Sequence, residues 1–193
     1  MKRLVLIGVC TGLLASVGMA TFVAVPRQAA TRSAELENFH LAGPTGRTYS
    51  IESFPSGSVL VIYFGYTTCL RACPIALNSI AEAIDHLGVR GASVQPVFID
   101  MDPDRAALVS IPMYMESFGP SFLGLTGSSD DVERAAKSFK VKLERVQFSA
   151  DPTDYAMRHT SPIFVMRPND PHPRPLPATS PPAAIEAAVR DAL

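Results

Sequence analysis

Cys69 and Cys73, four positions apart, are the residues of this sequence best equipped to do chemistry. They sit in the stretch Phe64-Gly65-Tyr66-Thr67-Thr68-Cys69-Leu70-Arg71-Ala72-Cys73-Pro74. If both sulfurs face one side of a first helical turn, they can close a disulfide or grip a single metal ion. The flanking segments place them at such a turn. Residues 58–64 form an unbroken β-branched and aromatic run, the pattern of a strand buried on both faces. After the cysteines, Leu77, Ile80, Ala81, Ile84 and Leu87 recur at helical spacing, and Gly88 can end the helix. The pair therefore falls at a strand-to-helix corner, where unpaired N–H groups and the positive end of the helix dipole favour a thiolate. A plain structural staple is the competing reading, but a bridge over so short a loop removes little chain entropy.

Composition sets the outer bounds. A chain of 193 residues has room for one ordinary domain plus a tail or anchor. With 47% hydrophobic and 18% charged residues it can bury a core, and three cysteines are too few for a disulfide-built mini-domain. A net charge of −1 gives no footing for a nucleic-acid partner. The charge is uneven: residues 1–27 carry Lys2, Arg3 and Arg27 and no acid. The uncharged run 4–25 matches the roughly 20 apolar residues that span a bilayer as a helix. Its basic lead-in predicts a cytoplasmic N-terminus. The expectation is a bacterial inner-membrane protein with a single N-terminal anchor over 1–27, a linker over 28–37, and a domain over 38–193 in the periplasm. A cleaved signal peptide is the alternative. Cys10, inside the apolar run, reads as a spectator.

The rest of the chain supplies a scaffold. Residues 38–51 read as strand, turn and strand. Residues 93–100 form a second core strand, followed by Asp100, Asp102 and Asp104 on the side where open α/β sheets carry their sites. Three acids could suit a hard ion such as Mg²⁺; the plainer reading is a solvated loop that caps the next helix. Met113 and Met115 carry soft thioethers, but positions i and i+2 diverge on a helix, which favours core packing. Residues 122–126 read as a short strand. A capped helix follows through 139, with Val132, Ala135, Ala136 and Phe139 on one face. Residues 141–148 can extend into a strand, and His159 stands shortly before Pro162 and an apolar strand. The proline-rich stretch 167–182 allows an irregular edge strand at most. Residues 183–193 form a final amphipathic helix, with Ile185, Val189 and Leu193 inward. His86 and His172 read as exposed bystanders.

This element order is that of an α/β protein. A cysteine pair where the first core strand meets its helix predicts a thioredoxin-like fold, a central mixed β-sheet flanked by helices, here with an N-terminal transmembrane helix in addition. Three residues between the cysteines, rather than two, leave room for a third ligand. Soft sulfur donors select Cu(I), and an imidazole would let the site accept Cu(II) as well.

Here the sequence resembles the Sco (SenC/PrrC) family of membrane-anchored copper chaperones. The resemblance is carried by Phe64-Gly65-Tyr66-Thr67-Thr68-Cys69 with Cys73-Pro74, and by Phe98-Ile99-Asp100-Met101-Asp102-Pro103. Tyr114 with Phe118-Gly119-Pro120, Leu125-Thr126-Gly127, and Tyr155 with His159-Thr160-Ser161 continue it in family order. It implies a copper site made of Cys69, Cys73 and His159. It also implies delivery of copper, as Cu(I) or Cu(II), to the copper A site in subunit II of cytochrome c oxidase, or to that oxidase's assembly factors, by a protein expected to be monomeric. Two positions depart from the family pattern. Leu70 stands where many members have proline, and Arg158 where many have aspartate beside the histidine; the second is expected to put a positive charge next to the site.

Two functions follow from these residues. In the first, the chain is a metal-transfer protein, and His159 is the residue that favours this reading. In the second it is a thiol-disulfide oxidoreductase acting on the oxidase subunit or other periplasmic partners, with Cys69 as the attacking thiolate and Cys73 resolving. A peroxidase-like protein would need only a reactive cysteine, and no further feature supports one.

Overall fold

The structure, a computed structural model, describes residues 38–106, 110–170 and 172–193. The described chain begins with a short antiparallel ribbon, β1 (Leu41–Ala42) and β2 (Thr48–Tyr49), turned by Pro44 to Gly46 as the sequence predicts. The buried run becomes β3 (Val59–Gly65), every residue of which is buried. Helix α1 (Ala72–His86) leads to β4 (Val94–Asp100). Helix α2 (Ser110–Glu116) follows, with Pro112 in its first turn, where a missing N–H costs nothing. Then come β5 (Leu123–Leu125), α3 (Ser129–Ser138), β6 (Leu143–Gln147) and β7 (Tyr155–His159). The chain closes with β8 (Ile163–Met166), β9 (Arg174–Leu176) and α4 (Pro182–Ala192).

The sheet order is β5-β4-β3-β8-β9. Strands β3, β4 and β5 run parallel, while β8 and β9 are antiparallel to their neighbours, giving the expected mixed sheet. Pro175 lies on β9, an edge strand, where its lack of an N–H breaks no interior ladder. Alternation along β3 builds two cores. Leu60, Ile62 and Phe64 pack with the α3 residues Val132, Ala135 and Ala136 and with Phe139. Val59, Val61 and Tyr63 pack with α1, α2 and α4. This is a thioredoxin-like sheet between helical layers, and the described residues cluster as one unit. Hairpin β6–β7 is a separate two-stranded sheet, hydrogen-bonded to neither edge of the main one.

Three expectations need correction. Among the described residues no helix is long and apolar enough to cross a membrane; α1, the longest, has 15 residues. The described fold therefore contains no membrane-spanning helix, and the expected inner-membrane anchor with a periplasmic domain is not retained. The apolar run on which it rested lies outside the described residues. Second, the acidic segment at the end of β4 is solvated only at Asp104, whose side chain is about half exposed; Asp100 and Asp102 are 0% and 1% exposed. Third, Leu193 is 38% exposed, because α4 reaches the core through Ile185 and Val189 alone. Of the two methionines, Met115 is buried and Met113 exposed, as their spacing requires.

Candidate metal centre

The site is built at the C-terminal end of β3. The chain turns after Gly65, with the Cys69 N–H donating to the Tyr66 carbonyl at 3.0 Å, and enters α1 at Ala72. No side chain caps α1 at Arg71. The Cys69 sulfur takes that role, accepting from the Cys73 N–H at 3.4 Å. Cys73 is fully buried, and Cys69 is partly exposed beside Leu70, which stands 89% exposed. Gly65 is needed for this packing. A Cβ there would lie 3.0 Å from Cys73 Sγ, 2.8 Å from Phe98 Cε2 and 3.2 Å from Tyr63 Cε1.

The two thiols are driven apart electrostatically. Burial alone would raise the Cys69 pKa, but hydrogen bonds from the Cys73 thiol and the N–H groups of Cys73, Arg71 and Ala72 outweigh it and lower it. Burial, reinforced by the bond to Cys69, pushes Cys73 up to about 12. Of the two, Cys69 is therefore the thiol that loses its proton more readily, and Cys73 the one that holds it. The buried phenol oxygen of Tyr114 has no hydrogen-bond partner among the described residues. Burial and the neighbouring Cys73 raise the Tyr63 phenol's pKa.

The loop is tied to the sheet by a residue that the sequence reading left in solvent. The Asp100 carboxylate accepts from the Thr67 N–H and from the Asp102 N–H, both at 2.8 Å. Burial raises its pKa to about 6 despite these two donors. The telling signal was an acid directly after the apolar run Val97-Phe98-Ile99, a position already inside the core.

His159 ends β7, opposite Leu143 in register. Its Nδ1 lies 3.2 Å from the Thr160 carbonyl and 2.9 Å from Ser161 Oγ. A carbonyl can only accept, so the Thr160 contact is a hydrogen bond in the tautomer protonated at Nδ1, which leaves the Nε2 lone pair free. Burial lowers the ring's pKa and favours this neutral, ligand-competent form. The Tyr66 ring stands edge-on to the imidazole, 5.7 Å between centroids, while burial and the Cys69 sulfur raise the Tyr66 phenol's pKa. Tyr66 thus links the cysteine loop to the histidine. The structure brings the two cysteines together, but no three His, Cys, Asp or Glu side chains form a metal-holding group among the described residues. In donor chemistry the three residues fit a soft ion: two sulfurs, one of them favoured as a thiolate, and an imidazole whose neutral form burial favours.

Arg158 does not put its charge where the sequence reading expected. It pairs across the hairpin with Glu144 at 3.3 Å, is 71% exposed, and alternates to the face opposite His159. His86 lies near Glu82 and Glu186, and His172 lies against Asp170, in surface pairs.

Fold and site together define a thioredoxin-like domain with a charge-polarised dithiol and a neutral histidine on an adjoining hairpin. The SCO1/SenC family model matches residues 27–193, and the chain belongs to that family. It is 31% identical over 132 residues to an SCO2-like protein of Rickettsia conorii, a match covering 68% of this chain and 64% of that protein. The human mitochondrial SCO2 homolog is 34% identical over 149 residues, covering 74% of this chain and 53% of its own length. The matched regions thus span about half to two thirds of these curated relatives. Bradyrhizobium japonicum ScoI, solved with copper bound, superposes with a TM-score of 0.71 at 28% identity, covering 81% of this chain and 98% of that one. Yeast Sco1 with copper bound gives 0.71 at 27% identity, over 80% and 86%.

Proposed function

We propose that this chain is a copper-transfer protein. Its domain, residues 38–193, holds one copper ion through Cys69 Sγ, Cys73 Sγ and His159 Nε2. It delivers the ion to the copper A site in subunit II of cytochrome c oxidase, or to that enzyme's assembly factors. The observation carrying this reading is the pairing of a thiolate-prone Cys69, in contact with Cys73, with a histidine whose Nδ1 is occupied and whose Nε2 is not. Copper-bound Sco relatives of the same fold support it. Binding displaces the Cys73 proton and draws the imidazole past Tyr66 to complete a three-coordinate site. Release runs in reverse, since a three-coordinate soft ion can take an incoming ligand before losing one of its own.

The same asymmetry favours a second activity, thiol-disulfide exchange. The Cys69 thiolate would attack a partner disulfide and expel one partner thiolate. Cys73, giving up its proton, would then attack Cys69 Sγ and release the second, leaving Cys69 and Cys73 oxidised to a disulfide and the partner reduced.

Copper titration of the reduced chain separates the two. One tightly held copper per chain is expected, weakened in His159→Ala and abolished in a Cys69→Ser/Cys73→Ser double variant. No tight copper in the unmodified chain would overturn the transfer reading. Partner reduction preserved in His159→Ala would favour the second.

A further inference from the structure

The hairpin that carries His159 has no strand pairing to the central sheet, so something else must hold it. Apolar packing beneath it is incomplete: a cavity of about 210 Å³ lies there, lined by Met101, Pro103, Val132, Leu143 and Met157 among others. The main attachment is polar and centres on Tyr155, the first residue of β7. This side chain is 6% exposed, and its hydroxyl donates to Asp102 Oδ1 at 2.5 Å. The guanidinium carbons of Arg105 and Arg145 lie 3.9 and 4.1 Å from the ring centroid. Arg105 also donates to the Tyr155 carbonyl at 3.0 Å and pairs with Asp102, and Arg145 pairs with Asp104. A cation over an aromatic face and a hydrogen bond to a buried carboxylate are both strengthened by exclusion from water.

Asp102 is in turn joined to the other half of the site. Its N–H donates to Asp100, and Asp100 accepts from Thr67, two residues before Cys69. One continuous path thus runs from the cysteine loop through Asp100, Asp102 and Tyr155 into the strand that ends at His159. Both proposed ligand mounts are referenced to the same buried acidic segment.

We propose that Tyr155 is a positioning residue for His159: its bond to Asp102 and its guanidinium contacts fix the hairpin at the distance from the cysteines at which the imidazole can close on copper. This rests on His159 being the third ligand. Tyr155 touches neither metal nor sulfur, and it acts only through β7.

The test uses the reduced full chain as wild type, Tyr155→Phe, Asp102→Asn and His159→Ala. Three quantities are read: the copper release rate, the nitrogen hyperfine signature of the Cu(II) form, and the reduction potential of the Cys69–Cys73 pair. Amide exchange over 143–147 and 155–159 is followed without copper. Tyr155→Phe is expected to release copper about tenfold faster, to weaken the nitrogen signature toward that of His159→Ala, and to speed exchange in the hairpin. The dithiol potential is expected to stay at its wild-type value, which a general loss of packing would not allow. Asp102→Asn, which keeps the tyrosine, is expected to follow Tyr155→Phe and serves if the latter folds poorly. Wild-type release from Tyr155→Phe, in an experiment where His159→Ala does accelerate it, overturns the proposal while the ligand assignment stands. Unchanged release in His159→Ala removes the ligand assignment and the proposal with it, and unchanged hairpin exchange overturns the proposal by itself.

Discussion

The buried carboxyl of Asp100 should make the fold lose stability as pH rises, in a window where most proteins gain it. An ordinary aspartate has a pKa of 3.8, and burial raises Asp100 to about 6. Between those values the native state keeps a proton that the unfolded chain has released. Unfolding therefore releases a proton, and the stability contributed by the protonated group falls as pH rises through the native value. At 1.36 kcal/mol per pH unit, the gap between 3.8 and about 6 is worth about 3 kcal/mol. Asp100→Asn removes the titration. It also leaves one of the two N–H donors, Thr67 or Asp102, facing an amide NH₂, a cost of about 1–3 kcal/mol that does not vary with pH. The informative quantity is thus the difference in unfolding free energy between the two proteins, followed by urea denaturation at fixed reductant from pH 4 to 7.5. The wild type should lose about 2.5 kcal/mol of that relative to the variant from pH 4 to 7.5, and almost nothing further above it. Parallel curves would refute the reasoning, since all other titrating groups are common to both proteins and cancel.

Two predictions concern packing. Gly65→Ala puts a Cβ 3.0 Å from Cys73 Sγ and 2.8 Å from Phe98 Cε2. It should lower stability by about 1–3 kcal/mol and accelerate copper release, and wild-type behaviour in both assays would show that the sulfur has room to move. Phe139, which meets Phe64 and Phe164 at ring separations of 5.3 and 5.0 Å, should cost about 3–5 kcal/mol on Phe139→Ala, read as a lower urea midpoint with unchanged slope.

The parts of the fold legible in the sequence are those whose signals are local. The unbroken run 58–64 could only be a strand covered on both faces, and β3 is buried at every residue. The face of α3 follows from the spacing of Val132, Ala135, Ala136 and Phe139, all buried. The cysteine corner follows from the junction of two such patterns. What escaped depends on residues distant in sequence. Asp102 and Tyr155 are 53 positions apart, and neither residue's neighbours announce the other. An acid-rich loop has the composition of a solvated one, and only the burial of β4 beside it reverses that reading. Strand β7 was missed because Tyr155-Ala156-Met157-Arg158-His159 alternates too weakly to stand out, and its partner β6 lies across a turn rich in polar residues. Arg158 was misplaced for the same reason: without knowing the strand, its side cannot be assigned.

The two kinds of mount differ in a way that suits the transfer reading. Cys69 and Cys73 are held by a buried strand end, a helix N-terminus and Asp100, all continuous with the central sheet. His159 hangs on a hairpin outside that sheet, between a polar clamp at Tyr155 and the start of β8. A site that must both keep copper and surrender it needs donors of unequal tenacity, because a rigid three-point cage has no ligand that leaves first. Under the copper-transfer proposal the imidazole is that ligand. Burial favours its neutral form, so its departure strands no charge, and its contacts with Thr160 and Ser161 are made through Nδ1, leaving Nε2 to the ion.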